Sequence, residues 1–162
     1  MKLDMHCHVK EGSVDSRVSL DEYITKLKAH GFDGMLITDH DTYKGYRYWK
    51  NEMKGKAYED FVVLKGIEYD TCDAGHIICI MPEGVKMRLL EMRGMPVAML
   101  IDFVHRHGGI LGPAHPCGEK YMSFTNTKRY YRSPEIIKHF DFIEAFNACE
   151  PEASNEGARK LA

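Results

Sequence analysis

The sequence predicts an α/β fold built on a mainly parallel sheet. Three observations carry that expectation. Short apolar runs of strand length alternate with segments of helical spacing, the order expected of β-α-β units. The helical segments have explicit start and stop signals. Polar residues able to hold metal ions close the apolar runs, at the carboxyl ends of the expected strands, where α/β folds carry their reactive groups.

Residues 2–6 form the first expected strand. Ser19-Leu20-Asp21-Glu22 is a capping box, in which hydroxyl and carboxylate each take a free N–H at a helix start. Leu20, Ile24 and Leu27 then follow helical spacing, and Gly31 supplies the stop. Residues 35–38 are a second strand ending in Asp39-His40. The polar, aromatic stretch 42–58 is partly helical. Residues 61–69 read as a third strand and 77–81 as a fourth. The few residues between them are too few for a parallel crossover, so as neighbours they form a hairpin with Glu68 and His76 on one rim. Pro96 opens a helix with Val97, Leu100, Ile101 and Val104 on one face, stopped by Gly108-Gly109. Residues 110–114 are a fifth strand. Ser133-Pro134 starts another short helix. Residues 142–146 are a sixth strand, and 152–162 begin a last helix.

At 162 residues the chain has the length of one domain, and 44% apolar residues suffice for a core. Lys and Arg number 22 against 24 Asp and Glu, a formal charge of −2, which is no nucleic-acid-binding balance. No apolar run is long enough to span a bilayer, and Met1-Lys2-Leu3-Asp4 opens no signal-peptide core. Five cysteines without CxxC spacing argue against a disulfide framework and for a reducing cytoplasm. Cys7 and Cys117, beside candidate ligands, read as small buried hydrophobes rather than soft metal donors. The unusual feature is nine histidines beside a single tryptophan.

His6 and His8, two apart on an extended chain, share a face and can grip one ion. His40 follows Thr38-Asp39, Glu68 follows Gly66-Ile67, His76 follows Gly75, and His115 stands between Ala114 and Pro116. Each borders an apolar strand, where a merely solvated residue has no need to be. Mixed imidazole and carboxylate donors suit zinc, manganese or iron, whereas an all-oxygen set would suit magnesium or calcium. His30, His105, His107 and His139 sit in last turns of expected helices, where imidazoles meet free carbonyls.

Taken in order, His6-Cys7-His8, Asp15, Thr38-Asp39-His40, Gly66-Ile67-Glu68, Gly75-His76 and Ala114-His115-Pro116 resemble the successive motifs of the polymerase and histidinol phosphatase (PHP) family, from Met1 to about Asn147. The resemblance implies a distorted (β/α)7 barrel, two or three divalent metal ions (zinc, manganese or iron), and phosphoester hydrolysis by a metal-bound hydroxide. It assigns His6, His8 and Glu68 to a first ion and Asp15 and His40 to a second. Glu68 bridges to a third, completed by His76 and His115. Asp39 either orients an imidazole from behind or caps the following loop. The family's last motif, Asp-x-His, is absent: no Asp follows Asp141 and no His follows His139. Residues 1–162 are therefore expected to be a single PHP domain truncated at its C-terminus, an incomplete barrel of about six strands without the last strand and motif.

Two segments suggest substrate contacts. In the loop 117–133, Lys120, Lys128, Arg129 and Arg132 outnumber Glu119, with Tyr121, Phe124, Tyr130 and Tyr131 interleaved. This loop directly follows His115. In 43–56, Lys44, Arg47, Lys50, Lys54 and Lys56 alternate with Tyr43, Tyr46, Tyr48 and Trp49, and a solvated surface over core aromatics is the favoured reading. Arg17, near Asp15, is a further phosphate contact. Asn147, at the end of the sixth strand, faces substrate or caps the next helix. The expected partners are a small phosphorylated substrate or nucleotide and its phosphate product, with nucleic acid only as a short single strand. The alternatives are a metal hydrolase of another bond, such as an amide, and a degenerate metal-binding module without turnover. An exonuclease module of a polymerase is disfavoured, because no polymerase sequence accompanies the domain.

Overall fold

Strands and helices alternate along most of the chain: β1 (Leu3–Cys7), α1 (Leu20–Ala29), β2 (Gly34–Ile37), α2 (Lys44–Tyr48), β3 (Val62–Asp70), β4 (His76–Ile80), α3 (Val97–Arg106), β5 (Ile110–Pro113), α4 (Lys128–Arg132) and α5 (Glu152–Leu161). The computed structural model describes residues 1–85, 88–119 and 122–162, so Lys120 and Tyr121 of the basic loop lie outside the described residues. The strand order is β1-β2-β3-β4-β5. The chain divides into two compact units, Met1–Ile67 and Glu68–Ala162.

In the first unit β1 and β2 are parallel, with Leu3 opposite Gly34 and Cys7 opposite Ile37 across an irregularity in the ladder. β2 and β3 are also parallel, from Gly34 opposite Val62 to Ile37 opposite Lys65. The serine half of the capping box forms, with the Ser19 hydroxyl accepting from Glu22 N at 3.3 Å, while the Glu22 carboxylate pairs with Lys26 at 2.8 Å. Leu20, Ile24 and Leu27 of α1 are buried and join Cys7, Val9, Met35 and Ile37 in one core. Each such aliphatic side chain, fully buried, contributes about 1.5–3 kcal/mol relative to exposure. α2 runs on into a wider π turn (Trp49–Met53). Tyr43, Tyr46 and Trp49 are buried there and serve the core, whereas Tyr48 is exposed.

In the second unit β4 and β5 pair antiparallel, Ile77 opposite Pro113 and Ile80 opposite Ile110. The sheet is therefore less uniformly parallel than the sequence suggests. β3 and β4 are joined by a tight turn: Thr71 N donates to Gly75 O at 3.1 Å, and Ala74 N to Thr71 Oγ1 at 2.9 Å. α3 buries Val97, Leu100, Ile101 and Val104, the face read from the sequence. Its first free N–H, on Val97, is taken by Asp73 Oδ1 at 2.8 Å.

Two expectations are corrected here. Residues 142–146 form no strand. The segment runs beside β5, with Asp141 N donating to Leu111 O at 2.9 Å, but the Asp141 and Glu144 carboxylates take the N–H groups of Leu111 and His115. A ladder needs those donors for backbone oxygens, so it does not form. Ser133-Pro134 does open a short helix, of 3-10 form (Pro134–His139), and α4 precedes it unannounced. The last segment is a full ten-residue helix rather than the start of one. Among the helix-end histidines, His30 and His107 do meet carbonyls, of Lys26 at 2.8 Å and Phe103 at 2.7 Å. His105 instead pairs with Asp141 at 2.9 Å.

Candidate metal centre

In the first unit the donors come from the ends of β1 and β2 and the loop between β1 and α1. Thr38 N donates to Cys7 O at 2.8 Å, and Cys7 N to Thr38 Oγ1 at 3.0 Å, so the two strand ends stay locked together. His6 and His8 then bring their Nε2 atoms to 3.1 Å. The loop is closed by Lys10 N to Val18 O at 2.9 Å and by the Ser16 hydroxyl on His8 O at 2.9 Å. It carries Asp15, whose carboxylate lies 3.9 Å from His8 Nδ1 and 3.5 Å from His40 Nε2. One donor atom each from His8, Asp15 and His40 falls within 4.8 Å of the others. Partial burial raises the Asp15 pKa, but the Ser13 hydroxyl and the His8 and His40 imidazoles outweigh it, so the carboxyl stays below its ordinary value.

Asp39 acts on the backbone. It is fully buried, and Oδ1 accepts from Val9 N at 2.8 Å, fixing the chain just beyond His8. A Cβ on Gly12 or Gly45 would lie 1.8 or 2.2 Å from its other oxygen, so both positions require glycine. Burial pushes its carboxyl up to about 6. The Cys7 thiol beneath is buried too; burial and the neighbouring Asp4 push its pKa well up, which keeps it protonated.

In the second unit Glu68, His76 and His115 converge. Glu68 is 1% exposed, and its Oε1 lies 3.0 Å from His115 Nε2 and 3.2 Å from His76 Nδ1. The three donor atoms fall within 4.8 Å of one another. The hairpin reading of β3 and β4, which put Glu68 and His76 on one rim, is what brings this pair together. His115 has a left-handed φ of 29°, a strained conformation held by its N–H donating to Glu144 Oε2. The Ser123 hydroxyl, 3.2 Å from His115 Nδ1, fixes the ring from the other side.

Sequence reading missed these supports. Asp70 was also missed: its carboxylate lies 3.2 Å from His76 Nε2 and 3.9 Å from the Arg93 guanidinium. Asp70 follows Glu68 by two on the same strand, the same period-2 signal that singled out His6 and His8. Ser123 and Glu144 had no comparable signal.

The substrate candidates separate. Arg17 is exposed, on the loop that carries Asp15. Asn147 turns its amide inward: Nδ2 donates to Glu144 Oε1 at 3.2 Å, and Oδ1 accepts from Cys149 N at 2.9 Å. It supports the carboxylate that holds His115. Lys128, Arg129 and Arg132 lie together on one wall of a cavity of about 480 Å³ in the second unit.

These donor sets fit divalent ions. A carboxylate removed from water between two imidazoles is costly alone and is compensated by a cation. Imidazole with carboxylate is the donor mixture of zinc, manganese and iron sites. No helix among the described residues is long and apolar enough to cross a membrane.

No curated protein matches the chain. Among solved structures, a Bifidobacterium adolescentis protein assigned the role of a metal-dependent phosphoesterase superposes with a TM-score of 0.71 at 14% identity, over 100% of this chain and 83% of that one. Endonuclease Q, solved with a 27-mer duplex substrate bearing an abasic lesion at the active site, gives a TM-score of 0.56 at 16% identity, over 77% of this chain and 39% of that one. At such identities the likeness is one of fold. The sequence match is of another kind: the PHP domain profile runs over residues 4–153, through every donor described above, and the chain belongs to the PHP domain family.

Proposed function

We propose that this protein is a metal-dependent phosphoesterase that hydrolyses a small phosphorylated metabolite or nucleotide and releases phosphate. The observation that carries the reading is the gathering of His8, Asp15 and His40 in the first unit and of Glu68, His76 and His115 in the second, with Glu68 and His115 almost fully buried. His6, His8, Asp15 and His40 are the ligands offered by the first unit. Glu68, His76 and His115 are those offered by the second. Zinc, manganese or iron bound there supplies Lewis acidity, neutralises phosphate charge and activates water.

The chain's own residues do the rest. Ser123 and Glu144 hold His115 in one orientation, and Asn147 steadies Glu144. Asp39 fixes the backbone beyond His8. Lys128, Arg129, Arg132 and Arg17 attract and neutralise the phosphorylated substrate. No protein nucleophile is needed. The free state of all five cysteines supports a reducing, cytoplasmic setting. A cavity of about 480 Å³ has the scale of a metabolite or nucleotide site. A short single strand enters the reading only as an extended substrate.

The test is phosphate release from a panel of phosphomonoesters and nucleotides, run with each of the three metals and after exhaustive chelation. Release that depends on metal and is lost in Glu68→Gln is expected. Full activity after chelation, or turnover confined to an amide panel, would overturn the proposal. Metal binding without turnover of any panel would make the protein a binding module.

A further inference from the structure

The cavity beside α4 holds more positive charge than the metal chemistry uses. Lys128, Arg129 and Arg132 line it together with Cys72, Gly75 and Met122. No ion pair involves these three basic residues among the described residues. Arg129 Nε is buried there without a hydrogen-bond partner among them. Three cations gathered without a counter-ion among the described residues favour an oxyanion at their accessible ends, and Lys128 and Arg132 are exposed. The cavity wall includes one carboxylate, Asp73, and its Oδ1 is already taken by Val97 N.

α4 is fixed in this pose. The Thr127 hydroxyl accepts from Tyr130 N at 3.3 Å, and the Tyr130 ring packs edge-on against buried Phe124 at 5.1 Å. Lys128 and Arg132, four apart, project from one side of the helix. The cavity floor is the Gly75–Met122 junction, where His76 N donates to Met122 O at 3.0 Å. The cavity thus begins one residue from His76, a metal donor.

We propose that this cavity is a subsite for a second phosphoryl group of the substrate, one that is bound and not hydrolysed. Its substrates then carry two phosphoryl groups, one at the donors and one on Arg129 and Arg132. The inference rests on the phosphoesterase reading for its meaning, but not for its test.

Cys72 is exposed on the cavity wall, whereas Cys149 is exposed outside the cavity lining, which gives a probe and a control. Metal-free protein is alkylated with N-ethylmaleimide across a series of inorganic phosphate concentrations, at ionic strength held constant with chloride. Labelling at each cysteine is read by mass spectrometry. Phosphate should slow Cys72 saturably, by about tenfold at about ten times its dissociation constant, and leave Cys149 unchanged. Protection should persist in Glu68→Gln and disappear in Arg129→Gln and in Arg132→Gln. The exposed Arg132 gives a variant that keeps the fold even if Arg129→Gln does not. Absence of protection in the wild-type protein, protection unchanged in both arginine variants, or its loss in Glu68→Gln would overturn the subsite. Because turnover is not read, an inactive protein would overturn the phosphoesterase reading and leave the subsite standing.

Discussion

Glu68 shows what a single buried residue offers an ion. A carboxylate 1% exposed, with two imidazoles at 3.0 and 3.2 Å, is an arrangement whose cost a cation removes. Its neighbours hold geometry rather than charge. Ser123→Ala is therefore expected to weaken metal affinity by about 10- to 100-fold, the range typical of lost outer-shell hydrogen bonds, read by titration of the metal-free protein. The cysteines divide by environment. Cys72 and Cys149 are exposed, whereas burial holds Cys7 and Cys79 protonated. An alkylation time course should modify the first two promptly and the other two only on unfolding. At this scale the histidines were legible because strand-end placement and the i, i+2 spacing are local. Ser123 and Glu144 were not, because their role exists only where a distant segment meets His115.

Gly75 governs the element that joins donors to cavity. Its φ is +73°, and a Cβ there would stand 2.1 Å from Met122 O. Gly75→Ala should destabilise the protein by at least about 1 kcal/mol and up to about 3 kcal/mol, measured by denaturant unfolding, and should disturb the His76 N to Met122 O bond. The elements written in strong local signals came out where expected: α1 from its Ser19 cap, α3 from its apolar face. α4 did not. Lys128-Arg129-Tyr130-Tyr131-Arg132 has no apolar periodicity, and its five residues hold together through Thr127 and Phe124. Residues 142–146 look like a strand by composition, yet acidic side chains at Asp141 and Glu144 take the donors that a ladder would use.

For the molecule as a whole, ions that bind only the folded donor sets must stabilise the fold. Saturating zinc or manganese at about 100 times the dissociation constant should add about 2.7 kcal/mol per site and raise the unfolding midpoint, while chelation should reverse it. Glu68→Gln should abolish the part of that gain owed to the second unit. A midpoint indifferent to metal would contradict the ligand assignment independently of any activity.

The sequence by itself determined the α/β class and the starts and apolar faces of α1 and α3, and it marked His6, His8, His40, Glu68, His76 and His115 as candidate donors, because each is encoded over a few residues; Asp15 came only with the family resemblance. Only the tertiary structure decided the antiparallel pairing of β4 with β5, the loss of a sixth strand, the role of Asp39 on the Val9 backbone, and the gathering of Lys128, Arg129 and Arg132 around one cavity. The physical reason is common to all four. Backbone donors and buried charges must each find a partner, and which partner they find depends on segments far apart in the chain.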